Sequence, residues 1–233
     1  MTHQPVKHVV TGAGSGIGLA LARHLADRGD ELVLLARSEA RAGELADTFA
    51  GAQVLVADLA DPGTLNGIGR QVDGPVDSLV HVAGAIELGR VDRLRLADWD
   101  EQLAVNLVAP AVLTRELLPH LRQGRGTVVL VNSSAGLTAN AEWSAYAASK
   151  HGLKAFADAL REEEADHGVR VTSIYPGRTA TPMQQKVHEQ EGRDYDASQW
   201  ATAETVAGTI LHVLDLPADA TIPDVRVRPG PGA

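Results

Sequence analysis

Seven short runs rich in apolar and β-branched residues recur along the chain, and most are followed by a longer amphipathic stretch. They are "KHVV" (7–10), "ELVLLA" (31–36), "AQVLVAD" (52–58), "DSLVHVAG" (77–84), "GTVVLVN" (126–132), "GVRVTSIYP" (168–176) and "IPDVRVR" (222–228). Most are continuous rather than alternating, as parallel strands covered on both faces require. Helical patterns fall between them, roughly at 17–28, 39–49, 62–72, 98–122, 144–167 and 203–214. This alternation predicts an α/β fold: a single Rossmann-type, doubly wound parallel sheet of about seven strands with helices on both faces. A chain of 233 residues suffices for one large domain of this kind. No repeat, low-complexity block or linker divides it, so residues 1–233 are expected to form one dinucleotide-binding and catalytic domain. The longest polar, weakly periodic stretch, 178–200, is expected to be a lid over a ligand crevice.

Composition removes several classes of function. The chain has no cysteine, which excludes disulfides, thiolate metal sites and cysteine nucleophiles. Its nine histidines show no paired metal-ligand spacing, so no metal is expected. The net charge of −9 argues against nucleic acid or an anionic membrane as partner. The start, "MTHQPVKHVV", holds no apolar core of signal-peptide length, and no window approaches a membrane span. A cytoplasmic location is the resulting expectation.

The first strand runs straight into "TGAGSGIG", with the apolar helix "IGLALARHLADRG" behind it. Gly12, Gly16 and Gly18 let the backbone turn sharply, approach a pyrophosphate and pack helix on strand. Amides at the start of such a helix bind phosphate. The strict GxGxxG spacing fails, since Ile17 holds the third position after Gly12 and Gly14. The position in a strand–turn–helix unit is what turns the motif into a dinucleotide reading. At the end of the second strand, an NAD-binding unit would carry an acid for the ribose 2′-hydroxyl. Here Ala36 is followed by Arg37. A guanidinium there can grip a 2′-phosphate through forked, charge-assisted hydrogen bonds, with help from Ser38 and Arg41. NADP(H) is therefore the expected cofactor, with NAD(H) also possible; the alternative is a solvated arginine at a strand end.

Together these residues resemble the short-chain dehydrogenase/reductase family. Its glycine motif matches at Thr11, Gly12, Gly16 and Gly18, its Tyr-x-x-x-Lys pair at Tyr146 and Lys150, and its serine at Ser133. The helix asparagine matches at Asn106 and the acid after the third strand at Asp58. Pro176, Gly177 and Thr181 match the segment after the sixth strand. The resemblance implies cofactor contacts also from Ser15, Ile17, Leu59, Ala83, Gly84 and Thr179. Three departures stand out. "HVAG" puts His81 and Val82 where the family has two asparagines, Ser15 stands where many NADP-dependent relatives carry a basic residue, and "TIPDVRVRPGPGA" differs from the ending common in 3-oxoacyl-carrier-protein reductases.

The resemblance implies that Ser133, Tyr146, Lys150 and Asn106 are catalytic. A free phenol, with a pKa near ~10, is a poor proton carrier at neutral pH. Lys150, one helical turn from Tyr146, favours the phenolate by its charge. The apparent pKa of Tyr146 is expected to lie below that of the free phenol. Tyr146 would exchange a proton with a carbonyl or alcohol oxygen that Ser133 also hydrogen-bonds, while Lys150 holds the nicotinamide ribose. Asn106 would bend its helix and hold a water linking Lys150 to solvent. Blander alternatives are a surface tyrosine beside a solvated lysine, Ser133 as a turn cap and Asn106 as an ordinary helix residue. Ser134 is the alternative serine. Trp143 is a candidate pocket wall or core residue, and Arg178 is expected to be exposed, the alternative being a contact with an anionic substrate group. His151 and the acidic run "REEEADHG" are expected to be solvated. The expected activity is NADP(H)-dependent hydride transfer to or from a small carbonyl or secondary-alcohol substrate. The alternatives are a non-catalytic dinucleotide sensor on the same fold and an epimerase or dehydratase. The resemblance further implies a homodimer or homotetramer formed through 98–122 and 144–167.

Overall fold

The structure is a computed structural model, and it describes residues 6–230. Residues 1–5, part of the opening stretch read above as lacking a leader core, lie outside the described residues, as do 231–233. The strands are β1 (Lys7–Thr11), β2 (Glu31–Ala36), β3 (Gln53–Val56), β4 (Ser78–His81), β5 (Thr127–Val131), β6 (Arg170–Pro176), β7 (Thr179–Ala180), β8 (Ala201–Thr202) and β9 (Asp224–Val227). The helices are α1 (Gly16–Asp27), α2 (Glu39–Thr48), α3 (Leu96–Leu103), α4 (Ala109–Gly124), α5 (Ser144–Glu164), α6 (Pro182–Glu191) and α7 (Ala203–Leu214).

Seven strands form one parallel sheet in the order β3-β2-β1-β4-β5-β6-β9. In register, Val10 lies between Leu34 and Val80, and Val80 in turn faces Val129. Strand side chains alternate between two cores. Val9, Leu79 and Val128 meet Leu113, Leu117 and Leu121 of α4 and Leu153 and Leu160 of α5. Val10, Leu34, Val80 and Val129 meet Leu21 and Leu25 of α1 and Val206 and Ile210 of α7 on the other face. Each fully buried leucine or valine contributes about 1.5–3 kcal/mol relative to exposure, so both faces are committed to helices. The chain reverses its direction of winding at β1, and a ligand crevice opens between the C-terminal ends of β1 and β4.

Three expected elements differ. The helix expected at 62–72 is two 3₁₀ turns, Pro62–Leu65 and Ile68–Gln71, separated by Gly67 at φ +79°. A left-handed residue cannot continue a right-handed helix. The helix expected at 98–122 begins at Leu96 and widens into a π turn over Ala104–Val108 before α4 resumes. The stretch 178–200 is more regular than a polar loop. Thr181 caps α6 by accepting a hydrogen bond from the Gln184 amide, Pro182 opens the helix, and β7 pairs with β8.

The acidic run closing α5 is not wholly solvated. Glu164 is buried and accepts two hydrogen bonds from Arg122, at 2.8 and 2.7 Å. The guanidinium holds its carboxyl below the usual carboxylate range. Among the described residues, no helix is long and apolar enough to cross a membrane, and no group of His, Asp and Glu could hold a metal ion.

Candidate active site

The glycine turn is fixed from beneath. The Thr11 hydroxyl accepts hydrogen bonds from the amides of Val82 and Ala83, at 3.0 and 3.1 Å, and so ties the end of β1 to the end of β4. That tie brings Ala83 so close that a Cβ on Gly12 would sit 2.8 Å from its amide nitrogen. Gly12 also has φ +74°. Gly18 faces the Gly12 carbonyl oxygen, which a Cβ would strike. These two glycines let α1 begin directly against the strand end. Ser15 caps α1 by position only, with no side-chain hydrogen bond, and the first turn carries no acid. The opening amides of α1 thus keep an anion-binding character.

A second wall comes from β5 and α5. Asn132 accepts from the Ser133 amide at 2.8 Å and donates to the Lys150 carbonyl at 3.1 Å. Gly136 makes room for this staple, since a Cβ there would lie 2.9 Å from the Lys150 carbonyl oxygen. Ser133 caps the short turn that follows, its Oγ accepting from the Ala135 amide at 3.1 Å. The hydroxyl keeps a further lone pair and its proton. Tyr146 and Lys150 are buried, and the Lys150 ammonium donates to the Val131 carbonyl at 3.0 Å. Trp143 packs edge-on against Tyr146 with ring centroids 5.9 Å apart.

Asn106 lies in the π turn. Its amide group is engaged on both sides, accepting from the Ala85 amide at 2.8 Å and donating to the Ala85 carbonyl at 2.8 Å and to Ser149 Oγ at 3.0 Å. It anchors the strand-four loop to α5. His81 is buried and paired with Thr114 Oγ1 at 3.0 Å; burial, and secondarily the Lys150 charge, push its pKa down to about 3. It is a neutral packing residue where the family has asparagine.

Burial also governs the pair itself. It raises the Tyr146 phenol above its ordinary value, only partly opposed by hydrogen bonding with Ser133, and lowers Lys150 to about 8. The expected depression of the tyrosine is therefore opposed by burial. The ammonium lies 5.9 Å from the ring centroid and points to a backbone carbonyl, so desolvation outweighs its field.

A cavity of about 300 Å³ joins the two walls. Of the residues singled out in the sequence, Gly12, Ser15, Gly16, Ile17, Ala83 and Gly84 line one side. Ser133, Tyr146 and Lys150 line another, and Pro176, Gly177, Thr179 and Thr181 close it from β6 and the segment beyond. Trp143, Ser134 and Arg178 also face it. Gly18 and Asn106 stand behind the walls. Arg37 and Asp58 are exposed beyond the ends of β2 and β3, with Ser38 and Leu59 partly buried beside them. Ser38 caps α2 through the Arg41 amide, and Arg41, paired with Glu44, lies over Gly14. Such a cradle, in which side chains at the glycine turn would collide with backbone, fits a dinucleotide. Sequence reasoning missed Ile86, Met183, Gln184 and Val187, which α6 and the strand-four loop bring into the cavity. For Met183 and Val187, four apart on α6, the apolar spacing was the available signal.

Comparison with known proteins places this geometry in context. The family model for short chain dehydrogenase matches residues 7–192. An uncharacterised oxidoreductase of Staphylococcus epidermidis is 30% identical over 226 residues, covering 95% of this chain and 96% of its own. A short-chain dehydrogenase from Streptomyces avermitilis superposes with a TM-score of 0.83 at 26% identity, over 97% of this chain and 89% of that one. A Beutenbergia cavernae structure with NADP bound at low occupancy gives a TM-score of 0.83 at 31% identity, over 95% and 94% of the two chains. Sequence and fold agree over nearly the whole length, and the chain belongs to the short-chain dehydrogenase/reductase family of oxidoreductases acting on alcohol groups.

Proposed function

We propose that the protein is an NADP(H)-dependent reductase or dehydrogenase of a carbonyl/secondary-alcohol pair, with Tyr146 as acid–base, Ser133 as oxyanion partner and Lys150 as the charge between them. The observation that carries this reading is the single cavity shared by the glycine turn and the Ser133–Tyr146–Lys150 wall. The nicotinamide, when bound, supplies or accepts the hydride. The glycine turn and the start of α1 would hold its pyrophosphate, and Lys150 its ribose hydroxyls. Pro176, Gly177, Thr179 and Thr181 would border the nicotinamide end.

For carbonyl reduction Tyr146 must carry its proton, and burial keeps it there at neutral pH. The Ser133 hydroxyl donates to the same substrate oxygen and stabilises the negative charge that develops on it. For alcohol oxidation the phenolate is required, and a protonated Lys150 lowers its cost. With a pKa of about 8, Lys150 is mostly charged at pH 7. Asn106 positions the loop that carries Gly84 and Ala85, and the charge of Lys150 reaches Tyr146 through the buried wall.

Arg37 supports NADP(H) over NAD(H): it is exposed at the end of β2, where an acid would repel a 2′-phosphate. The structure from Beutenbergia cavernae carries NADP. Binding of NADPH and NADH measured by calorimetry on wild type and Arg37→Asp tests this. NADPH is expected to bind about ten- to a hundredfold more tightly, with the preference lost in the variant. A wild-type preference for NADH, or a variant that keeps the NADPH preference, refutes the cofactor assignment. The same domain would carry both cofactor and substrate. A homo-oligomer built on α4 and α5 is consistent with the exposure of Val108 where α4 begins.

A further inference from the structure

The substrate side of the cavity is apolar, and its charges are already matched. Ile86, Trp143, Met183 and Val187 form one packed cluster with Tyr146 around the space that a substrate's flank must occupy. Among the described residues, the one charged side chain on the cavity apart from Lys150 is Arg178. Arg178 would be the natural partner for a substrate carboxylate. Its Nη2, however, donates to both carboxylate oxygens of Glu191, at 2.7 and 2.8 Å, and its guanidinium lies 5.5 Å from the centre of the Trp200 ring. Glu191 is the last residue of α6, so the pair also latches the lid helix to the segment leaving β6. The other cation of the lid helix that reaches toward this region, Lys186, is likewise held, by Glu87 at 2.9 Å and by the Ile86 carbonyl at 2.8 Å.

Building on the oxidoreductase reading above, we infer that the substrate is an uncharged ketone or aldehyde (or the matching alcohol) with an apolar flank, and that the Arg178–Glu191 pair excludes substrates bearing a carboxylate. A carboxylate entering this space meets mostly apolar walls and a guanidinium already paired through Nη2 with Glu191. It loses its hydration for a cation that it must share with Glu191. To recruit Arg178 in place of this pair it must displace Glu191, which would keep only the exposed Arg193, 3.9 Å away, as a cation partner. An uncharged substrate avoids both costs and gains contact with Trp143, Met183 and Val187. Glu191 therefore acts as a specificity residue without touching the reacting atoms.

Two isosteric pairs test this, each differing only in charge: acetoacetate against acetoacetamide, and 4-acetylbenzoate against 4-acetylbenzamide. With wild-type protein and saturating NADPH, kcat/KM for the amide is expected to exceed that for the acid by about ten- to a hundredfold. Glu191→Gln keeps the shape and one accepting oxygen of the latch but removes the negative charge, and it is expected to shift the ratio about tenfold toward the acid. A wild-type preference for the acids overturns the inference, as does a folded Glu191→Gln protein with an unchanged ratio. If that variant fails to fold, the wild-type ratio alone decides. Should wild type turn over neither member of a pair, calorimetric titration of both into the protein with NADP⁺ separates the two readings. Tighter amide than acid binding without turnover supports the charge exclusion and sinks the redox assignment. Equal binding, acid-favoured binding or no binding overturns the exclusion itself.

Discussion

Lys150 costs the folded protein stability, and replacing it should make the cofactor-free chain more stable while disabling it. Burial lowers its pKa from 10.5 to about 8. Each pKa unit corresponds to about 1.4 kcal/mol. The difference, 10.5 − 8 = 2.5 units, amounts to about 3 kcal/mol against folding while the group is charged. Because the folded pKa lies below the unfolded one, the full cost is present below pH 8. It fades as pH rises from about 8 toward 10.5, where both states lose the proton. Lys150→Met retains the aliphatic stem and removes the charge. It also strips the Val131 carbonyl of its donor, a loss of about 1 kcal/mol. The net gain is then about 2 kcal/mol at pH 6.5 and smaller at pH 9, since the cost fades above about pH 8. Urea denaturation of the cofactor-free wild type and variant at the two pH values measures it. NADPH should raise the stability of wild type more than that of the variant, since the ribose contact is gone. A variant less stable than wild type at pH 6.5, or a gain that grows with pH, would refute the reasoning.

Three further outcomes follow from the same geometry. Tyr146→Phe should lose nearly all turnover with NADPH affinity nearly intact, and Ser133→Ala should slow turnover by about 10²–10³, both read in steady-state assays on a reduced ketone. Gly18→Ala drives a Cβ into the Gly12 carbonyl oxygen, and backbone cannot yield cheaply. It should destabilise the fold by about 1–3 kcal/mol in thermal unfolding and weaken cofactor binding in parallel. Glu164→Gln should cost about 1 kcal/mol at neutral pH, because Arg122 loses its charged partner but stays partly hydrated. Glu164 has a depressed pKa, so its contribution is present above pH 4.5 and lost as pH falls through the folded value. Denaturation curves for the two proteins should therefore converge in acid.

The sheet was legible because parallel strands buried on both faces leave long apolar runs, and all seven expected strands are found in the main sheet. The glycine turn was legible for a related reason. Its constraints are steric and local, so Gly12 and Gly18 mark their own geometry. The rest was decided by backbone geometry at glycines, by contacts distant in sequence and by burial. The pattern at 62–72 has helical spacing, but Gly63, Gly67 and Gly69 break the run, and Gly69 lies against the Glu116 carbonyl of α4. Arg178 is partly buried because its partner, Glu191, lies thirteen residues on, at the far end of α6, a helix that the weak periodicity of 178–200 does not announce. The tyrosine shift was misjudged because sequence spacing gives the distance between Tyr146 and Lys150 but not the water around them.

That last error bears on how such a site works. Tyr146 and Lys150 share one buried wall, and burial pushes each toward its neutral form, the phenol upward and the ammonium downward. On the proposed mechanism, alcohol oxidation needs phenolate and ammonium together, and burial alone works against that pair. A bound dinucleotide would bring ribose hydroxyls to the ammonium and replace some of the hydration that burial removed. The charged form of Lys150 becomes cheaper, and with it the phenolate. Its pKa should therefore rise on cofactor binding, toward its ordinary value of 10.5. Proton uptake on binding NADP⁺ at pH 8.5, measured by calorimetry in buffers of different ionisation enthalpy, checks this directly. Lys150→Met should abolish the uptake. If wild type takes up no proton, or the variant takes up as many, the lysine is not the group that cofactor binding sets.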